Sequence, residues 1–230
     1  MNITPYPLSH YTALLATGQP FSFARYGDGE WLAILGASGQ NCDGHPYTPA
    51  LARELSEAVT SGADYIFASR VTAQIRDQVA RWCKLSNVNR EWHSTEVFLE
   101  ASLAGKLKPL VSALRERYVG YVGPEHLLDF ANDAFSLVGF APIPKVNAYA
   151  EIAGITRDAL GLVDLGADTL LISAGPAANA LIHRLYPIIG KQVTMLDMGS
   201  VFDPYAGVLS RSYARKGGYD FNKLYKANFR

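Results

Sequence analysis

The sequence predicts an α/β fold, Rossmann-like, with a mostly parallel sheet and helices on both faces. Short apolar runs of the buried-strand kind alternate with helical stretches along the whole chain. Thr169-Leu170-Leu171-Ile172-Ser173 is apolar through its middle, as strands covered on both faces are. Glycine turns, Gly27-Asp28-Gly29-Glu30 and Ser173-Ala174-Gly175-Pro176, stand where a strand hands over to a helix.

Residues 8–17 read as a short helix, followed by a strand over Phe21-Ser22-Phe23-Ala24. After the first glycine turn, Trp31-Leu32-Ala33-Ile34-Leu35 continues as a helix, and 36–47 is a long irregular loop. Thr48 caps the next helix, with Pro49 at its first position and Leu51, Leu55, Ala58 and Val59 on one face. A strand follows at 65–68, then helices over about 71–85, 95–104 and 109–117. Tyr118–Val122 is a strand, and Pro124 is expected at the first position of the helix after it. Residues 137–143 form a strand ended by prolines, 149–165 a helix, 177–189 the helix after the apolar strand, and 193–196 the last strand.

This order predicts a single domain over 1–230, with 206–230 as a basic aromatic tail. Hydrophobic residues make up 49% of the chain and charged ones 18%, which excludes a disordered polymer. No apolar run approaches the roughly 20 residues that span a bilayer. The amino terminus lacks a basic and hydrophobic leader, and Cys42 and Cys83 stand alone, so a reducing cytoplasm is expected. Formal net charge is zero, which argues against a global field for nucleic acid. The tail from Arg211 to Arg230 is the exception, at a local +5 and with five aromatic residues. It reads either as a solvated terminus or as a segment that closes over phosphates.

The chemistry concentrates at three turns. Asp28 and Glu30, two acids one residue apart at the carboxyl end of a strand, can aim oxygens at one hard cation. They can equally serve as helix cap and first-turn acid. Gly175 with the helix start behind it, reaching Asn179, suits a phosphate. Asp197 and Asp203 flank the turn after the last strand. Around these, Arg25 and Gly27 border the acid pair, and Arg70 follows the second strand, where a guanidinium can hold a phosphate. His93 is a candidate base beside the possible helix caps Ser94 and Thr95. His45 and His126 read as surface residues, and His183 as packed.

Phe23-Ala24-Arg25-Tyr26-Gly27-Asp28-Gly29-Glu30 resembles the opening motif of the GT-D glycosyltransferases, a bacterial family first described as a domain of unknown function. Ile143-Pro144 with Asn147-Ala148, Gly175-Pro176-Ala177-Ala178, and Asp197-Met198-Gly199 with Tyr205 are similar to later motifs of that family and in the same order. The chain departs from it at 200–204 and at Ala177. The resemblance implies a metal site at Asp28 and Glu30 for Mn2+ or Mg2+, holding a nucleotide-diphosphate sugar, foremost a UDP-sugar. It implies sugar transfer to a hydroxyl acceptor on a glycan or glycoconjugate. Asp203, Asp197 and His93 are the base candidates, and Arg25, Gly27, Arg70, Gly175 and Asn179 the donor contacts. Two alternatives stand beside it: transfer onto hydroxylated bases of phage-type DNA, and a nucleotide-binding module without turnover.

Overall fold

The computed structural model describes residues 1–41 and 44–230; Cys42 lies outside them. Along the chain run β1 (Ile3–Thr4), α1 (Leu8–Thr17), β2 (Ser22–Tyr26), α2 (Asp28–Ile34), α3 (Pro49–Thr60) and β3 (Ile66–Ser69). Then come α4 (Arg76–Leu85), β4 (Trp92–Ser94), α5 (Val97–Leu103), α6 (Lys108–Arg115), β5 (Val119–Pro124) and α7 (Leu128–Ala134). β6 (Leu137–Ile143), α8 (Ile152–Asp164), β7 (Thr169–Ile172), α9 (Ala177–Ile189) and β8 (Thr194–Asp197) complete the α/β alternation. Two short helices end the chain, α10 (Ser212–Lys216) and α11 (Phe221–Phe229).

Among the described residues one eight-stranded sheet forms, in the order β1-β4-β3-β2-β8-β7-β5-β6, and every pairing is parallel. Side chains alternate across it, as the two-residue period of a strand requires. Leu170 and Ile172 enter the core under α3, α8 and α9, while Leu171 enters the one under α1, α6 and α7. Met195 and Leu196 divide the same way. Both faces are therefore covered, as the sequence predicts.

Local signals explain most boundaries. Thr48 Oγ1 accepts the Leu51 N–H at 3.2 Å, and Pro49 opens α3. Pro142 lies in β6, an edge strand, where a missing donor costs no ladder bond. Pro124 ends β5 instead of starting a helix, and a 3-10 turn over Glu125–Leu127 precedes α7. β1 and β4 carry too few residues for a periodic signal; they pair with each other, and β4 also with β3.

The tail is ordered in two parts. α11 docks on α5 and α6 through Asn228, which is fully buried. Its Oδ1 accepts the Leu107 N–H at 2.8 Å, and its Nδ2 donates to the Ser102 carbonyl at 2.8 Å. Phe229 packs against Phe130, Phe202 and Tyr205. The part around α10 runs back over the carboxyl ends of the strands.

Candidate active site

In an open parallel sheet, ligands bind beyond the carboxyl ends of the strands, where connections leave to opposite faces. Here β2 and β8 are neighbours at the centre of the sheet. The cleft above them holds about 590 Å³ and is lined by the turns after β2, β3, β4, β7 and β8. That size suits a small-molecule site. Arg25, Gly27, Asp28, Glu30, Arg70, Gly175 and Asp197 all reach it. Arg70, Gly175 and Asp197 are far from the acid turn in sequence and are brought to it by the topology.

Asp28 is the first residue of α2, and Gly27 is its cap. The Glu30 Oε2 accepts the Gly27 N–H at 2.8 Å, closing the first turn. The Asp28 Oδ1 accepts the Thr72 N–H at 3.0 Å, which ties this turn to the one after β3. The helix is pinned to β3 by Trp31, whose indole N–H donates to Ser69 Oγ at 3.0 Å. The structural and the cation-binding readings of the two acids are thus compatible: each carboxylate fixes local backbone through one oxygen.

Asp197 ends β8 and is buried; its Oδ1 accepts the Gly199 N–H at 2.9 Å. Burial pushes its carboxyl up to about 6, against the pull of Arg25. Burial likewise pushes Glu30 up to about 7, and the Asp197 charge adds to it. Two carboxylates that are costly to ionise together mark a site where added positive charge is favourable. Arg25 supplies part of it. Its Nε is buried and has no hydrogen-bond partner among the described residues. The guanidinium lies against the α-carbon of Gly199, where φ is +53° and a Cβ would collide with Nη1. Arg70 adds a second cation at the rim, 3.7 Å from Glu96 Oε2 and well exposed.

A second, smaller lobe of about 240 Å³ continues from the first, sharing Gly175, Gly199, Ser200, Ser210 and Arg211. Asp203 sits in it, paired with His126 through Nε2 and Oδ1 at 3.1 Å. Burial raises the Asp203 carboxyl, opposed by hydrogen bonds from His126 and Ser210. The wall common to both lobes is the segment before and into α10. Arg211 Nε donates to Ser200 Oγ at 3.2 Å, and the Tyr213 hydroxyl to the Ser200 carbonyl at 3.1 Å.

Two predicted site residues lie outside the cleft. His93 is packed between β1 and β3: its Nδ1 is 2.8 Å from the Tyr11 hydroxyl, and its ring stacks on Tyr6 at 4.4 Å. Burial holds its imidazole below the usual value, and the residue packs in the core and does not line the cleft. Asn179 is fully buried and turns toward the sheet, its Nδ2 donating to the Arg25 carbonyl at 2.7 Å. It positions Arg25 and offers no contact to a ligand. Conversely, His45 is buried and His126 half-buried. His45 is buried against Gly175, whose φ is +54°, and His126 holds Asp203. Arg211, Tyr213 and Arg215 also line the cleft, and only the basic character of the tail hints at them.

Another depression, about 750 Å³, is an open groove between α3 and α9, away from the strand ends. It carries a satisfied network: Glu54 accepts from Arg184 at 2.5 and 2.8 Å and from Tyr149 at 2.6 Å.

No protein-family model matches the chain, and no curated protein does. Solved structures do. One described as "A New Glycosyltransferase (DUF1792) from Streptococcus sanguinis" superposes with a TM-score of 0.66 at 17% identity, covering 94% of this chain and 86% of its own. This chain has the DUF1792 fold. Another DUF1792 structure, described as having "a distinct glycosyltransferase fold", gives 0.63 at 18% identity over 98% of this chain and 94% of its own. A third DUF1792 domain gives 0.65 at 19% identity. The DUF1792 fold thus accounts for nearly the whole chain. Among the described residues, no helix is long and apolar enough to cross a membrane.

Proposed function

We propose that this protein is a glycosyltransferase that moves a sugar from a nucleotide-diphosphate donor, foremost a UDP-sugar, to a hydroxyl acceptor. Mn2+ or Mg2+ would be held by Asp28 and Glu30. The observation that carries this reading is the acid pair at the floor of an arginine-lined cleft, in a chain that shares its fold with described glycosyltransferases.

The residues fit such a cation. Among the described residues no three of His, Cys, Asp and Glu converge tightly enough to form a complete cage. Mn2+ and Mg2+ in nucleotide sites commonly take one or two carboxylates and complete their shell with water and phosphate oxygens. Bound there, the ion would supply a Lewis acid for the charge that appears on the leaving diphosphate. The rest falls to the chain. Arg25, Arg70, Arg211 and Arg215 give the walls a fixed positive potential. α9 begins directly behind Gly175 and presents its positive end to the same space. The segment around α10 covers the cleft and limits water.

A glycan or glycoconjugate acceptor suits the tail better than DNA does. Phe229 is buried, and Phe221 and Tyr225 lay their rings against Tyr205, which leaves little aromatic face for stacking on bases.

The experiment is a donor panel: UDP-glucose, UDP-galactose, UDP-N-acetylglucosamine, GDP-mannose and dTDP-glucose with Mn2+, read by release of nucleoside diphosphate. Release that requires metal and fails in Asp28→Asn and Glu30→Gln is the expected result. Full activity and unchanged metal dependence in both variants would remove the proposed metal role. Tight UDP binding without turnover, across a panel of hydroxyl acceptors, would make the protein a nucleotide-binding module instead.

A further inference from the structure

The smaller lobe has a polar end that the donor chemistry leaves unused. His126 enters it from the turn after β5, and Asp203 from the turn after β8. Asp203 is fully engaged: Oδ1 meets His126 Nε2 at 3.1 Å, and Oδ2 accepts the Ser210 hydroxyl at 3.0 Å. A carboxylate acceptor assigns the ring proton to Nε2, which leaves the lone pair on Nδ1. Among the described residues the ring makes no other hydrogen bond. An imidazole fixed through one nitrogen by a carboxylate, with its other nitrogen unengaged, is the arrangement of an oriented base.

We propose that the smaller lobe receives the acceptor and that His126 is the general base for its hydroxyl, with Asp203 as the residue that positions the ring. This rests on the sugar-transfer reading of the larger lobe. Because the two lobes share Gly175, Gly199 and Ser200, a hydroxyl beside His126 faces a donor lying over Asp197 and Arg25. In the step, the acceptor O–H bond breaks and its proton passes to His126 Nδ1. The oxygen bonds to the anomeric carbon as the bond from that carbon to the diphosphate oxygen breaks, and that electron pair leaves with the diphosphate. The imidazolium so formed is balanced by Asp203. Asp197 and Glu30 are poor rivals as the base, since they lie on the donor side of the cleft and a bound cation would consume their basicity. The volume of about 240 Å³ and the apolar walls from Pro124, Ile143, Pro144 and Val208 suit the end group of an acceptor, such as a terminal sugar ring. One displacement with one base inverts the anomeric configuration.

The test uses the full chain with Mn2+ and whichever panel sugar nucleotide it cleaves, with water and methyl β-glucoside as hydroxyl probes. His126→Ala is expected to lower the rate by about 10²-fold or more, with UDP affinity unchanged and the rate partly restored by added imidazole. Asp203→Asn should lower kcat without raising the donor KM, and the double variant should be no slower than His126→Ala, because the pair acts as a unit. His126→Gln, close in size to histidine, controls for folding by its melting temperature. A folded His126→Ala within about threefold of wild type, failure of imidazole to restore any rate, or a retained anomeric configuration would each overturn the assignment. If the wild type neither binds UDP with Mn2+ nor cleaves any donor, the donor reading itself fails, which is a different result from active enzyme indifferent to His126.

Discussion

The guanidinium of Arg25 occupies the space in which Gly199 would carry a Cβ. The two residues come from β2 and from the turn after β8, so one missing side chain sets where the cation at the centre of the cleft can lie. Gly199→Ala is expected to displace Arg25 and to strain a backbone at φ +53°, at about 1–2 kcal/mol of stability. UDP affinity should fall as well, measured by calorimetry beside the melting curve. An alanine variant with wild-type affinity and stability would show that the arginine is free to move.

Glu30 has two separable duties, and two substitutions divide them. Glu30→Gln keeps an acceptor for the Gly27 N–H and removes the charge; it should melt no lower than wild type yet lose the response to Mn2+. Glu30→Ala also removes the cap, at a further ~1 kcal/mol. Equal melting temperatures for the two variants would show that the 2.8 Å bond carries no stability.

The metal-free protein should be more stable in mild acid than at neutral pH. Glu30 is pushed up to about 7 and Asp197 to about 6. Both lie above their unfolded values, so folding takes up protons between about pH 4 and 7. The stabilisation is complete below the unfolded values and is lost as pH rises through the folded ones. The difference is at most about 3 kcal/mol for Glu30, and smaller in practice because its carboxyl is partly open to water in the cleft. Melting with a chelator present, from pH 5 to pH 8, should show the fall, and Mn2+ should abolish it at pH 8. A flat profile, equal in Glu30→Gln, would contradict the burial argument.

Asn228 holds the end of the chain through three partners: Leu107 N–H, the Ser102 carbonyl and the Tyr205 hydroxyl. Asn228→Ala leaves the Leu107 N–H buried and unsatisfied, while the Ser102 carbonyl keeps the Gly105 N–H, at roughly 1–3 kcal/mol. Hydrogen exchange should report release of α11 before the sheet opens. Protection of α11 unchanged from wild type would mean that Phe229 packing alone suffices.

Much of the fold is legible in the sequence where the signal is local. The strand–turn–helix at Asp28 and Glu30, the Thr48 cap and the run 177–189 are each written in adjacent residues. Within the acid turn the roles are exchanged: Gly27 is the cap, and Glu30, not Asp28, reaches back to it. That distinction depends on backbone angles that residue types do not specify. His126 reads as a surface residue because its partner, Asp203, stands 77 residues away, and no spacing rule connects them. His93 and Asn179 sit beside recognisable turns, yet the two-residue period and the helix turn them into the core. The tail shows charge but no periodicity; α11 is held by burial of Asn228 and Phe229 on elements distant in sequence.

The pairing of Phe23 with Leu196 has a consequence for how the molecule comes into being. β8 is made long after β2, so the neighbour that completes one side of β2 arrives late. Until then that side of β2 has no partner, and slow, non-local pairing of this sort leaves a nascent chain exposed to association with others. The cleft therefore closes only once β8 has paired, and a chain cut short before β8 holds the acids of Asp28 and Glu30 without Asp197 beside them.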